Sequence, residues 1–169
     1  MKKISNNIPR AAFLMILCAL LVLSSCGGKM GNKKEIDTAK IASTLSQKTP
    51  TDSKWINEDQ TFLKEYTLLP KFVKSSAIYY AQDTNNLDEF GVFWIEEGKA
   101  KAVRQQIAED YLKKRYDQNL EWYNSYMPTE TPKLRDAEVR IYGDCVVYAI
   151  LSSERRTAFF AECDKLLKN

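Results

Sequence analysis

The chain has 169 residues, with 25 Lys and Arg against 22 Asp and Glu, and no histidine. The lack of histidine excludes Ser-His-Asp and Cys-His catalysis, histidine-ligated metals and imidazole pH switches. The excess positive charge, Lys2, Lys3 and Arg10, lies in the first 25 residues, so the remaining 144 residues carry 22 charges of each sign. A neutral domain provides no electrostatic basis for nucleic-acid binding.

The first 25 residues have the layout of a signal peptide. A cationic start precedes the uncharged run from Ala11 to Leu23, thirteen residues, whereas a membrane-spanning helix needs about 20. The run ends in LSSC, Leu23 to Cys26, which resembles a bacterial lipobox. We therefore expect cleavage after Ser25 and attachment of lipid to the thiol of Cys26. An uncleaved anchor and a coincidental cysteine are the alternatives.

Lipid on Cys26 predicts a protein held on the extracytoplasmic face of the cell membrane. Two or more acyl chains give stable anchoring, because each buried CH₂ group contributes about 0.8 kcal/mol. Residues 26–35 are rich in glycine and polar side chains and predict a flexible tether. Residues 36–169 then have the size of a single domain. The expected organisation is a signal peptide over residues 1–25, the tether and this domain.

The first half of the domain predicts one helix and a hairpin. Asp37 can cap a short helix whose apolar residues face one side, and another helical turn or two is expected near 62–66. Rich β-branched and aromatic content predicts strands over 72–81 and 90–97, joined by the loop QDTNNLD. Two adjacent apolar rows then predict one long helix from Lys99 to Tyr126.

The second half predicts another hairpin and a final helix. Alternation from Ala137 to Tyr142 indicates a half-buried strand, Gly143-Asp144 a two-residue turn, and CVVYAIL a more fully apolar strand. Ser152 or Ser153 can cap the last helix. The predicted class is α+β, with an N-terminal helix followed by β-β-α-β-β-α, a four-stranded antiparallel sheet and helices packed on one face.

Several segments carry a family resemblance. They are the strand DEFGVFWIEE, the charged helix after it, the YMP that ends that helix, and LRDAEVRIYGDCVVYAIL. From about residue 36 to 167 the pattern resembles an uncharacterised family, a domain of unknown function found in small lipoproteins of Gram-positive anaerobes. The resemblance implies this fold and localisation, and the family has no established activity to transfer.

The domain contains one pair of cysteines and one acidic loop, and we expect neither to form a chemical site. Strand and helix dimensions place Cys145 and Cys163 about 12 Å apart, beyond the disulfide limit of about 7 Å. We therefore expect two small buried apolar side chains. Asp83, Asn85 and Asp88 lack the glycine and the oxygen ligand that a calcium loop requires. No metal or other cofactor is predicted.

The remaining candidates are acidic, basic and aromatic side chains. Pairs such as Asp88-Glu89 could supply an acid and a base, but neighbours on a strand point to opposite faces, so no catalytic residue is predicted. The basic run Lys113 to Arg115 predicts a solvated face. Trp122, Tyr123 and Tyr126 form a candidate binding surface for a glycan or peptide. The alternative is that this helix end closes one end of the core.

These observations favour a non-catalytic binding or protein-interaction module of the cell envelope. Its expected partners are the membrane, through lipid on Cys26, and an envelope protein, peptide or wall component. The competing hypotheses are an envelope enzyme that uses carboxylate or tyrosine chemistry, and an accessory subunit of an envelope complex. The sequence identifies neither the ligand nor the partner.

Overall fold

The protein is described by a computed structural model that covers residues 35–58 and 72–168. The predictions for Ser25, Cys26 and the helical turns near 62–66 lie outside these residues. The strands are β1 (Trp55–Glu58), β2 (Val73–Ala81), β3 (Glu89–Ile95), β4 (Glu138–Tyr142) and β5 (Cys145–Ile150). The helices are α1 (Thr38–Lys48), α2 (Ala100–Gln106), α3 (Lys114–Tyr126), α4 (Thr131–Arg135) and α5 (Ser153–Leu167).

A π-helical segment, Ile107–Lys113, joins α2 to α3. The three elements follow one another without a break, and we call them together the long helix. Its extent agrees with the helix predicted from the two apolar rows. The π turn was not predicted, because both rows continue through it.

The sheet has five strands in the order β1-β2-β3-β5-β4, and all neighbours are antiparallel. The predicted α+β class and antiparallel sheet are confirmed, but the predicted count of four strands is wrong. The additional strand is β1, which pairs with β2 from Trp55 opposite Ala81 to Glu58 opposite Ile78. Its four residues are too few to show a clear alternation in the sequence.

Helices cover both faces of the sheet, so the prediction of helices on one face is also wrong. The long helix packs against Phe93 and Tyr148 on one face, whereas α1 and α5 pack against Phe90 and Val147 on the other. The physical reason lies in the two central strands, because every residue of β5 and all but one of β3 are buried. A strand that is apolar on both sides needs a layer on each.

Local sequence signals explain how several of these elements begin and turn. The carboxylate of Asp37 accepts a hydrogen bond from the backbone N–H of Lys40 at 2.9 Å, which caps α1. The β4–β5 hairpin closes with Tyr142 opposite Cys145. Its turn uses Gly143 at a φ of 60°, where a residue with a side chain is strained. The predicted two-residue turn is therefore confirmed.

Cys145 and Cys163 are both free and buried, as predicted. They lie in the apolar layer between the sheet and α5. Burial raises the pKa of each thiol to about 12. The two side chains therefore remain protonated at neutral pH and behave as small apolar groups.

Candidate functional site

The predicted aromatic surface divides into an exposed pair and a buried residue. Trp122 and Tyr126 are 51% and 72% exposed, and their ring centroids lie 5.5 Å apart. Tyr123 is only 8% exposed and belongs to the core beneath the long helix. Tyr123 therefore does not share the surface of its two neighbours. We call Trp122 and Tyr126 the aromatic pair.

Three exposed side chains on the same side of α3 as the aromatic pair are uncharged. They are Gln118, Asn119 and Ser125, which lie three or four residues from Trp122 along the helix. The amide of Asn119 donates to the backbone oxygen of Arg115 at 2.9 Å. This surface thus presents two aromatic rings among neutral amide and hydroxyl groups.

A buried carboxylate that we did not predict lies at the start of β3. Glu89 is 3% exposed and accepts hydrogen bonds from the hydroxyl of Tyr111 at 2.5 Å and of Tyr148 at 2.6 Å. Its second oxygen forms an ion pair with Nη1 of Arg115 at 2.8 Å. We call these four residues the Glu89 cluster. Its members come from β3, β5 and the long helix, and they join the sheet to that helix.

The backbone around the Glu89 cluster is shaped to bring its side chains together. Tyr111 lies on the π segment, and Arg115 follows at the beginning of α3. Tyr148 stands opposite Gly91 in the sheet, and a Cβ atom on Gly91 would lie only 2.4 Å from Cε1 of Tyr148. The absence of a side chain at Gly91 therefore lets the Tyr148 ring pass across β3 toward Glu89.

The electrostatics of the Glu89 cluster keep its tyrosines neutral. Burial first, and then the negative charge of Glu89, raise the pKa of Tyr111 and of Tyr148 well above the usual value. Burial lowers the pKa of Arg115, but the charge of Glu89 and the nearby phenols outweigh it and raise that pKa overall. Two protonated phenols and one guanidinium thus surround the carboxylate. The prediction of a solvated Lys113 to Arg115 run is wrong at Arg115.

The preceding residue, Asp88, has a separate set of partners. It is 1% exposed and accepts a hydrogen bond from the hydroxyl of Thr51 at 2.9 Å. It also forms ion pairs with Lys133 at 2.9 Å and with Arg155 at 2.5 Å. We call these four residues the Asp88 cluster. It links the chain after α1 to α4 and to the first turn of α5.

A groove of about 220 Å³ opens beside both clusters, at the end of the β2–β3 hairpin. Asp88, Glu89 and Arg115 contribute to its lining. Each carboxylate is matched by at least one cation, and the two share no partner among the bonds above. The carboxylates of Asp88 and Glu89 are thus held in place by cations from the helices, Lys133 and Arg155 for the first and Arg115 for the second.

The fold and these clusters define a small α+β domain in which the buried charges are paired. Residues 50–151 match the family model described as a domain of unknown function, DUF4358. Because this match covers more than half of the chain, the protein belongs to the DUF4358 family. No curated protein and no solved structure matches the chain.

No helix in the described ranges, residues 35–58 and 72–168, has the length and apolar character needed to cross a membrane. The same ranges contain no group of three or more acidic or cysteine side chains arranged to hold a metal ion.

Proposed function

We propose that this protein is a lipid-anchored binding module on the extracytoplasmic face of the cell membrane, of the kind found in small lipoproteins of Gram-positive anaerobes. The signal peptide is cleaved after Ser25, and lipid on Cys26 retains the domain close to the membrane. The aromatic pair contacts an envelope protein, a peptide or a wall component. No catalytic step is part of this role.

The observation that carries the proposal is the exposure of the aromatic pair. Two large rings held side by side on a helix offer apolar area at little conformational cost, and Trp and Tyr are enriched where binding energy concentrates. The neutral side chains around Trp122 and Tyr126 can hydrogen-bond a partner without requiring an opposite charge. These properties suit contact with a neutral surface rather than with nucleic acid.

The competing enzyme hypothesis receives less support from the Glu89 cluster. Carboxylate and tyrosine groups do meet there, but a tyrosine that acts as a base needs a pKa lowered toward neutrality. The pKa values of Tyr111 and Tyr148 are raised instead. An accessory subunit of an envelope complex would use the same contact surface, and the photocrosslinking experiment described below would detect that role.

Anchoring is tested by growing cells with labelled fatty acid and isolating the protein. We expect label on the wild-type chain and none on Cys26→Ser. The matched control is Cys18→Ser, which removes another cysteine of the leader and leaves the lipobox intact, so it should retain the label. Equal labelling of both variants would refute the anchor.

The contact surface is tested by photocrosslinking in intact cells. A photoreactive amino acid replaces Tyr126 in one variant and Asn124, an exposed residue on another side of α3, in the control. We expect a defined adduct from position 126 that disappears when Trp122→Ala is added, and no such adduct from position 124. Identical adducts from both positions, or none from 126, contradict the proposed surface.

A further inference from the structure

A second surface lies between the long helix and the edge of the sheet. A groove of about 430 Å³ runs there, with an apolar lining that includes Ala108, Leu112, Tyr116, Leu134 and Val139. The first two of these belong to the π segment, a type of turn that occurs frequently at functional sites. We call this feature the β4 groove. Neither residue of the aromatic pair lines the β4 groove.

The backbone of β4 presents hydrogen-bonding groups to this groove. β4 is an edge strand, and its hairpin closes at the pair Tyr142 and Cys145. In a two-residue hairpin the closing pair is hydrogen-bonded and such pairs alternate, so the N–H and C=O groups of Val139 and Ile141 point away from β5. Nε of Arg104 donates to the oxygen of Val139 at 3.3 Å, in agreement with that direction.

Most of this outer edge is open for another strand. Within residues 35–58 and 72–168, β4 pairs with β5 alone. Ile141, on the same face of β4 as Val139, is 36% exposed although it is a large apolar residue. An open edge of this kind is a template for strand addition.

The charge beside the β4 groove indicates which chemical group an added strand would bring to it. Arg104 lines the groove, and its hydrogen bond to the Val139 oxygen leaves its positive charge without a carboxylate partner among the described residues. Other cations of the groove are already paired, Lys113 with Asp117 and Arg135 with Asp136. Arg104 is therefore the lining residue best placed to receive an acidic group.

We propose that the β4 groove binds an extended peptide of a partner protein, which adds to β4 as a sixth strand of the sheet. One apolar side chain of the peptide enters the groove beside Leu112 and Leu134. A carboxylate of the peptide, from an acidic residue or a chain end, pairs with Arg104. Main-chain hydrogen bonds supply affinity in this mode of recognition, and the pocket supplies specificity.

The test uses the purified full-length protein in detergent micelles and a random library of peptides about ten residues long, nearly twice the length of a typical strand. Dissociation constants of the selected peptides are measured by fluorescence anisotropy. Ile141→Pro removes the outward N–H and leaves the β5 ladder intact, whereas Ile141→Thr keeps that N–H. We expect binding to weaken about tenfold or more in the proline variant and by less than about twofold in the threonine variant.

A second variant keeps the test decisive if Ile141→Pro fails to fold. Arg104→Met should weaken binding of a carboxylate-bearing peptide about tenfold. It should leave unchanged the binding of the analogue that lacks this carboxylate, which is either the peptide with its acidic residue replaced by the amide or the peptide with its chain end amidated. Whichever of these two replacements abolishes the effect of Arg104→Met identifies the source of the carboxylate. Trp122→Ala combined with Tyr126→Ala should not affect either peptide.

Four results would overturn the proposal. They are the absence of any library peptide that binds more tightly than about 1 mM, equal binding by wild type and a folded Ile141→Pro variant, an Arg104→Met variant that weakens both peptides equally or neither of them, and loss of binding when the aromatic pair is removed. Sedimentation provides an independent check. A wild-type dimer that Ile141→Pro abolishes identifies a second copy of this chain, not a partner peptide, as the occupant.

Discussion

The two faces of the sheet are stabilised in different ways, although the same strands contribute to both. Toward α1 and α5, Phe90 packs among aromatic rings, and the residues around it are apolar. Toward the long helix, the adjacent residue Glu89 places a charge inside the protein. One strand thus contributes an apolar anchor to one layer and a buried ion pair to the other.

This difference has energetic consequences. Burial of apolar area contributes roughly 25 cal/mol per Å², so the apolar face supplies stability in proportion to its area. A buried ion pair gives little net stability, because removing two charges from water costs about as much as their attraction returns. Loss of one partner, however, leaves the other charge buried and unpaired. The apolar face should therefore respond to lost volume, and the Glu89 face to lost pairing.

The largest effect is expected for Phe90→Ala. The Phe90 ring is fully buried and lies 5.2 Å from Trp55, 5.3 Å from Tyr79 and 5.0 Å from Phe159, measured between ring centroids. Its removal leaves a cavity, and the free energy of unfolding should fall by about 4 kcal/mol in urea titrations. Leu166→Ala, at a more exposed site, should change it by less than about 0.5 kcal/mol. Similar losses in the two variants would contradict an apolar anchor at Phe90.

The next effect concerns pairing in the Glu89 cluster. Glu89→Gln leaves the guanidinium of Arg115 without its carboxylate and should lower the free energy of unfolding by about 3 kcal/mol. Adding Arg115→Met should recover part of that loss, since no charge then remains unpaired. Urea titrations of both single variants and the double variant measure this coupling. Strictly additive losses would show that the pair is not energetically linked.

The sequence predicts the parts of this fold that depend on local patterns. The strand FGVFWIEE follows from its β-branched and aromatic content, the Gly143 turn from turn chemistry, and the long helix from the period of its apolar rows. The Glu89 cluster could not be predicted in this way, because Tyr111, Arg115 and Tyr148 are 22, 26 and 59 residues away from Glu89 along the chain. One signal was available: two acids at the start of an otherwise apolar strand need partners when that strand is central.

The apolar run CVVYAIL predicts more than the presence of a strand. A half-buried strand alternates, and the absence of alternation in β5 indicates cover on both faces. The second helix layer was thus predictable, whereas the pairing of β1 was not. For the aromatic surface, helical spacing separates Tyr123 from Trp122 and Tyr126, since residues four apart share a side and neighbours do not.

A smaller effect is expected where the Tyr148 ring crosses Gly91. Gly91→Ala places a methyl group 2.4 Å from Cε1 of Tyr148 and 2.9 Å from Cε2 of Phe93, so these rings must shift. The free energy of unfolding should fall by about 2 kcal/mol. The same substitution in a Tyr148→Ala background should cost at least about 1 kcal/mol less, because the closest contact is gone. An unchanged cost in that background would place the strain elsewhere.

The smallest effect is a pH dependence that originates on the apolar face. The pKa of Cys145 is about 12 in the folded chain against an ordinary value near 9. Below pH 9 the thiol is protonated in both the folded and the unfolded chain, so its contribution to stability is fully present there. This contribution falls as pH rises from 9 toward 12, by about 1.4 kcal/mol per pH unit, because the unfolded chain gains a favourable thiolate that the folded chain lacks. Between pH 8 and 10, wild type should lose about 1 kcal/mol more stability than Cys145→Ala.

The measurement is the free energy of unfolding of both proteins at each pH, from urea titrations with reductant present. Comparing the two losses removes the pH-independent cost of the missing sulfur and the titration of the tyrosines common to both proteins. Equal losses would mean that the Cys145 thiolate is accommodated in the folded protein, and that the layer under α5 is not as dry as its side chains indicate.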